Sequence, residues 1–165
     1  MAQDLNPIFD SPVTIANYLY SLKSDISPIK LQKALYFLFA YYGGVYFNHD
    51  NEGESEGVIE PKTLFNAEFE AWKYGPVIRE IYRLNKHGEL GNDDEVQIAV
   101  DALNQYPEEK MFIDNLFNQI DSVSDFSLVE RSHQDDIWER NYNTNLNKKI
   151  MDNFEIIIEY QEKYI

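Results

Sequence analysis

The sequence predicts a mainly α-helical α+β fold, a single compact helical domain spanning residues 1–165 with a small antiparallel sheet or hairpin. Three observations lead there. Most apolar residues recur at helical spacing, one short run between Phe65 and Trp72 alternates in the manner of a strand, and 165 residues suit one substantial core rather than two. Apolar residues make up 44% and aromatics 15%, which excludes disorder for the bulk of the chain.

The first helix is announced by Ser11-Pro12, a capping hydroxyl followed by a residue that suits the first helical position, with Ile15, Tyr18, Leu19 and Leu22 on one face. Ser27-Pro28 repeats the device, and Ile29, Leu31, Leu35, Leu38, Phe39 and Tyr42 continue until Gly43-Gly44, where the helix is expected to stop. This second helix is apolar over much of its circumference. It is therefore expected at the centre of the core, packed on several sides.

Asn48 to Glu60 is acidic, glycine-containing and almost free of apolar residues, so an exposed acidic loop is expected there. Next comes AEFEAWKYGPVIR, Ala67 to Arg79, in which Phe69 and Ala71 alternate with Glu68 and Glu70. Gly75-Pro76 then reads as the turn into a helix beginning at Pro76, because glycine reaches backbone angles closed to other residues and proline lacks an N–H. Trp72, Tyr74, Gly75 and Pro76 are accordingly structural residues of this joint. Val77, Ile81 and Leu84 fall at helical spacing, with Arg79, Arg83 and Lys86 along another face.

Gly88 to Glu95 reads as a second acidic loop, and Val96 to Leu103 suits either strand or helix. Pro107 starts a helix carrying Phe112, Ile113, Leu116, Phe117 and Ile120, and Ser127 with Glu130 forms a capping box. The tail from Asn147 to Ile165 places Ile150, Phe154, Ile157, Ile158 and Gln161 at helical spacing. Its length favours a helix despite the β-branched Ile156-Ile157-Ile158.

Charge narrows the function. The net charge of -15 is uneven: residues 62–88 carry five bases and three acids, whereas residues 89–136 carry thirteen acids and two bases. Direct binding to nucleic-acid backbones is not expected of such a surface, because phosphate neutralisation by Lys and Arg supplies most of that affinity. A protein partner is. No Cys is present, which removes disulfides, thiolate metal sites and cysteine nucleophiles, and no stretch of about 18 apolar residues suggests a membrane span. The opening MAQDLNPIFDS lacks a basic region and an apolar run, so a cytoplasmic protein is expected.

No catalytic constellation, metal site or cofactor loop is read from the residues. His49-Asp50 lacks further ligands, and His87 precedes a helix-ending glycine, where a cation suits the helix dipole. His133, with Glu130, Asp135 and Asp136 close in sequence, is expected to fix a turn between two short helices, with partner contact as its other role.

Three blocks, KLQKALYF (Lys30 to Phe37), AWKYGPVIREIY (Ala71 to Tyr82) and LVERSHQDDIW (Leu128 to Trp138), together resemble the Panacea, or SocA-like, antitoxin domain, a group that includes phage-associated GepA-like proteins. The third block keeps Ser132-His133 and Trp138 but has Ile137 where the family pattern has proline. The resemblance implies a non-enzymatic domain that binds a cognate toxin, neutralising it directly or delivering it to a protease, in a bacterial or prophage two-gene module. Arg79, Tyr82, Arg83 and His133 are the candidate partner-binding residues. The rival reading from charge is an acidic phage-encoded DNA mimic that inhibits a nucleic-acid-binding defence protein.

Overall fold

The computed structural model describes residues 5–47, 62–142 and 149–165. The acidic loop expected at 48–60, with His49, lies outside them.

Helix α2 (Pro28–Tyr46) is the central element, with Leu31, Ala34, Leu35, Tyr36, Leu38, Phe39 and Ala40 all fully buried. Its start is as expected: Ser27 accepts a hydrogen bond from the Lys30 N–H at 3.0 Å and Pro28 occupies the first turn. Helix α1 (Pro12–Leu22) begins in the same way, on Ser11. Gly43 and Gly44, however, do not end α2. A Cβ on Gly43 would lie 2.6 Å from Ile157 Cγ1, and one on Gly44 would lie 2.9 Å from Ile165 Cγ1, so these glycines are where the C-terminal helix and the residue just beyond it press on α2.

The strands form two small sheets. β1 (Pro7–Phe9) runs parallel to β2 (Thr63–Phe65), with Pro7 opposite Thr63 and Phe9 opposite Phe65. β3 (Phe69–Trp72) is the middle of an antiparallel sheet between β4 (Gly75–Ile78) and β5 (Lys149–Met151). The helix expected from Pro76 therefore begins later. Gly75-Pro76-Val77-Ile78 is the returning strand of a hairpin turned at Lys73-Tyr74, and only then does α3 (Arg79–Lys86) start.

The buried Gln32 side chain makes this abrupt change of backbone possible. Its amide accepts from the Ile78 N–H at 2.9 Å and donates to the Ile78 carbonyl at 3.1 Å, satisfying both backbone groups at the strand–helix boundary.

Val96 to Leu103 is helical, within α4 (Asp93–Asn104), whose three acids in the first turn suit the helix dipole. Those acids shorten the second acidic loop. α5 (Pro107–Asp121) starts at proline as expected, and α6 (Asp125–Ser132) is capped by Ser124, whose hydroxyl accepts from the Ser127 N–H, in place of the box expected on Ser127. α7 (Asp136–Asn141) follows. The tail is helical only from Asn153, in α8 (Asn153–Lys163), because Lys149–Met151 pairs with β3.

Candidate functional site

The joint between β3, β4 and α3 is the best-supported candidate site, because four elements converge there and a groove opens beside it. Gly75 has φ +105°, a backbone conformation that L side chains rarely adopt, and a Cβ there would run into Ser132 Oγ and lie 2.8 Å from Lys33 Cε. Glycine is thus required twice, for the angle and for the space.

Behind the hairpin turn sit two stacked rings. His133 caps the C-terminal end of α6, and its Nε2–H donates to the Lys73 carbonyl at 2.9 Å. Trp138 lies against His133 with ring centres 4.1 Å apart and donates its indole N–H to the Trp72 carbonyl at 2.8 Å. His133 stands, as the sequence predicts, in the turn between two short helices, and its ring reaches out of that turn to anchor the hairpin. None of Glu130, Asp135 and Asp136 orients its ring through a described hydrogen bond.

Asp135 has a different task. Fully buried, it accepts from Tyr36 (2.5 Å), Tyr160 (2.6 Å) and Tyr164 (3.1 Å) and pairs with Arg131 at 2.8 Å, joining α2, α6 and α8. Burial first, then Tyr160 and Asp135 for Tyr36 and Asp135 for Tyr160, hold these two hydroxyls well above the ordinary tyrosine range, with Arg131 opposing the rise at Tyr160. Next to it, Ile137 uses the N–H that proline would lack, donating to Glu159 Oε1 at 2.9 Å while the Asp136 N–H donates to Oε2 at 2.7 Å. At Ile137, where the resemblance implies proline, this carboxylate takes the N–H.

Across the hairpin, Arg79 makes a two-pronged bond to Glu70 at 2.9 and 3.1 Å, and Glu70 also accepts from the Trp72 indole at 2.9 Å. Arg79 therefore braces α3 against β3 from within the joint. It shares an exposed helix with Tyr82 and Arg83, and two of these face Trp72: the Tyr82 ring, with ring centres 5.0 Å apart, and the Arg79 guanidinium, 5.4 Å from the ring centre. The structure gathers Tyr82, Trp72 and Tyr74 at one face, and leaves His133 and Trp138 behind the turn.

That face borders a groove of about 530 Å³ lined by residues of α2, the hairpin and α3. Its walls include Ile29, Trp72, Tyr74, Val77 and Tyr82. Lys33 lines it too, 2% exposed, donating to the Pro76 carbonyl at 2.8 Å. Burial pushes the Lys33 amine down to about 7. Sequence reasoning passed over Lys33, although a signal was available: a helix apolar around most of its circumference cannot turn every lysine to solvent.

Ser132 Oγ lies on the same side of Gly75 as Lys33, but it is fully buried and donates to the Val129 carbonyl at 2.8 Å. The pair lacks the exposed, base-directed hydroxyl that a serine nucleophile needs. Among the described residues, no His, Asp and Glu groups cluster as a metal site, and no helix is long and apolar enough to cross a membrane.

Residues 58–139, about half of the chain, match the family model described as antitoxin SocA-like, Panacea domain. Over this part the protein carries a SocA-like Panacea domain. The matched segment holds the hairpin, α3 and the His133–Trp138 stack, while the block at Lys30 to Phe37 lies ahead of it. No curated protein and no solved structure gave a significant match.

Proposed function

We propose that this protein is an antitoxin-like, non-catalytic binding protein that neutralises a cognate toxin in the cytoplasm by direct contact, as one half of a bacterial or prophage two-gene module. The observation that carries the reading, beyond membership of an antitoxin family, is the exposed aromatic face at the joint. Tyr74 is 57% exposed and Tyr82 43%, beside Trp72 and the basic Lys73, Arg83 and Lys86, in a chain of net charge -15. Tyr, Trp and Arg are the residues most enriched where binding energy concentrates.

The toxin-binding residues of this reading are Tyr74, Tyr82 and Arg83. Arg79 and His133 act on the toxin indirectly, by holding the hairpin that presents them.

The test is co-expression with the product of the neighbouring reading frame. The wild-type chain is expected to restore growth, and Tyr74→Ala with Tyr82→Ala to lose that rescue while keeping the parental melting midpoint. Full rescue by the double variant would remove this face from the interface. A toxin that disappears from the cell only when a protease is active would replace occlusion by delivery.

A further inference from the structure

The groove beside the joint is built for more than general apolar contact. Its lining joins the apolar and aromatic Ile29, Val77, Trp72 and Tyr82 to three lysines, Lys33, Lys73 and Lys86, and includes no acidic residue. In a protein with 29 acids against 14 bases, that composition is a local reversal of charge.

The lysines differ in position. Lys73 and Lys86 are exposed, each near a tyrosine ring, at 5.5 Å from Tyr74 and 6.0 Å from Tyr82. Lys33 is buried, and the Pro76 carbonyl takes only one of its three possible donors. Among the described residues no carboxylate pairs with it. A buried amine without a counter-charge is costly unless something meets it, and here it borders an apolar groove.

We propose that this groove captures the carboxyl-terminal end of a partner polypeptide, the terminal carboxylate meeting Lys33 and an apolar last side chain lying against Trp72, Val77 and Tyr82. The inference rests on the antitoxin reading only for the identity of the partner. Three features select this occupant. A carboxylate supplies the charge that Lys33 lacks, whereas the apolar walls favour an uncharged side chain attached to it. The volume, about 530 Å³, falls in the roughly 300–1,000 Å³ range of clefts that enclose small ligands, enough for a chain end but not for a folded element. The exposed lysines suit the approach of an anion and oppose that of a cation.

Binding is measured on the full chain by NMR, with acetyl-Leu-Phe bearing a free carboxylate, the same peptide as its carboxyl-terminal amide, and decanoate as a small-molecule acid. The acid peptide should shift the Trp72 indole N–H signal and bind at least about tenfold tighter than the amide. Lys33→Met, which keeps an unbranched apolar stem and removes the amine, should fold and lose the preference for the acid. Tyr82→Ala should weaken both peptides.

Equal binding of acid and amide, no binding of either peptide, a preference that survives in a folded Lys33→Met protein, or binding of decanoate alone would each overturn the proposal. The two readings fail separately. A chain that takes the acid peptide yet does not rescue growth sustains the groove and sinks the antitoxin role, and a chain that rescues without taking the peptide does the reverse.

Discussion

His133 and Trp138 stack ring on ring at 4.1 Å, and each directs one nitrogen at the same hairpin turn, His133 to the carbonyl of Lys73 and Trp138 to that of Trp72. Two adjacent carbonyls are thus held by one stack. The turn that presents Tyr74 is fixed from behind by residues that lie some sixty positions further along the chain.

Trp138→Phe keeps most of the stacked surface and removes the indole N–H. The Trp72 carbonyl then loses its partner, and the expected cost is about 1–3 kcal/mol. Urea unfolding measures it. An unchanged midpoint would mean that water replaces the indole without loss.

Gly75→Ala should cost on the order of 1–3 kcal/mol from the backbone angle alone, and more where Ser132 and Lys33 cannot move aside. Gly75→Val should be worse. The thermal midpoint of the alanine variant decides the matter, and a value equal to the parent's would show that the turn relaxes freely.

Lys33 sets a pH dependence whose sign follows from its lowered folded-state value of about 7 against an ordinary 10.5. Below pH 7 both states hold the proton and the penalty for burying charge is constant. Between about 7 and 10.5 the unfolded chain holds more protons, so stability rises with pH, by at most about 1.4 kcal/mol per unit. Urea unfolding of wild type and Lys33→Met at matched pH isolates this term. The wild type should gain on the variant as pH rises from 7 to 9, and a constant difference would place the Lys33 amine in water.

Salt separates capture by the aromatic face from imitation of DNA. Apolar contact is weakly screened, so affinity for the toxin should fall little between about 0.1 and 0.5 M salt, and duplex DNA should not compete. A steep loss with competition by DNA would instead favour the acidic surface as the working one.

What could be read from the residues followed how local each cause was. Ser11-Pro12 and Ser27-Pro28 start helices through bonds two or three residues away, and both starts were legible. Gly43 and Gly44 look like a helix stop in the sequence because their actual reason is Ile157 and Ile165, far along the chain. Pro76 to Ile78 reads as the start of the following helix because Val77, Ile81 and Leu84 keep helical spacing across the boundary, while the pairing that makes it a strand lies with β3. Lys149–Met151 was lost for the same reason. At the site, the joint and its aromatic residues were visible, but the floor was not. Lys33 belongs to a helix forty residues upstream of the groove's other wall, and only the folded chain brings them together.

That central helix also bears on how the protein can be cut. The family match opens at residue 58, after α2 has ended at Tyr46, yet α2 supplies Lys33 to the groove, Gln32 to Ile78 and Tyr36 to Asp135. A fragment trimmed to the recognised boundaries would expose the apolar side of every element that α2 covers and leave two buried polar partners unanswered. The portion identified by comparison is therefore expected not to fold alone, and transplanting the aromatic face of the joint into another scaffold should require the upstream helix with it.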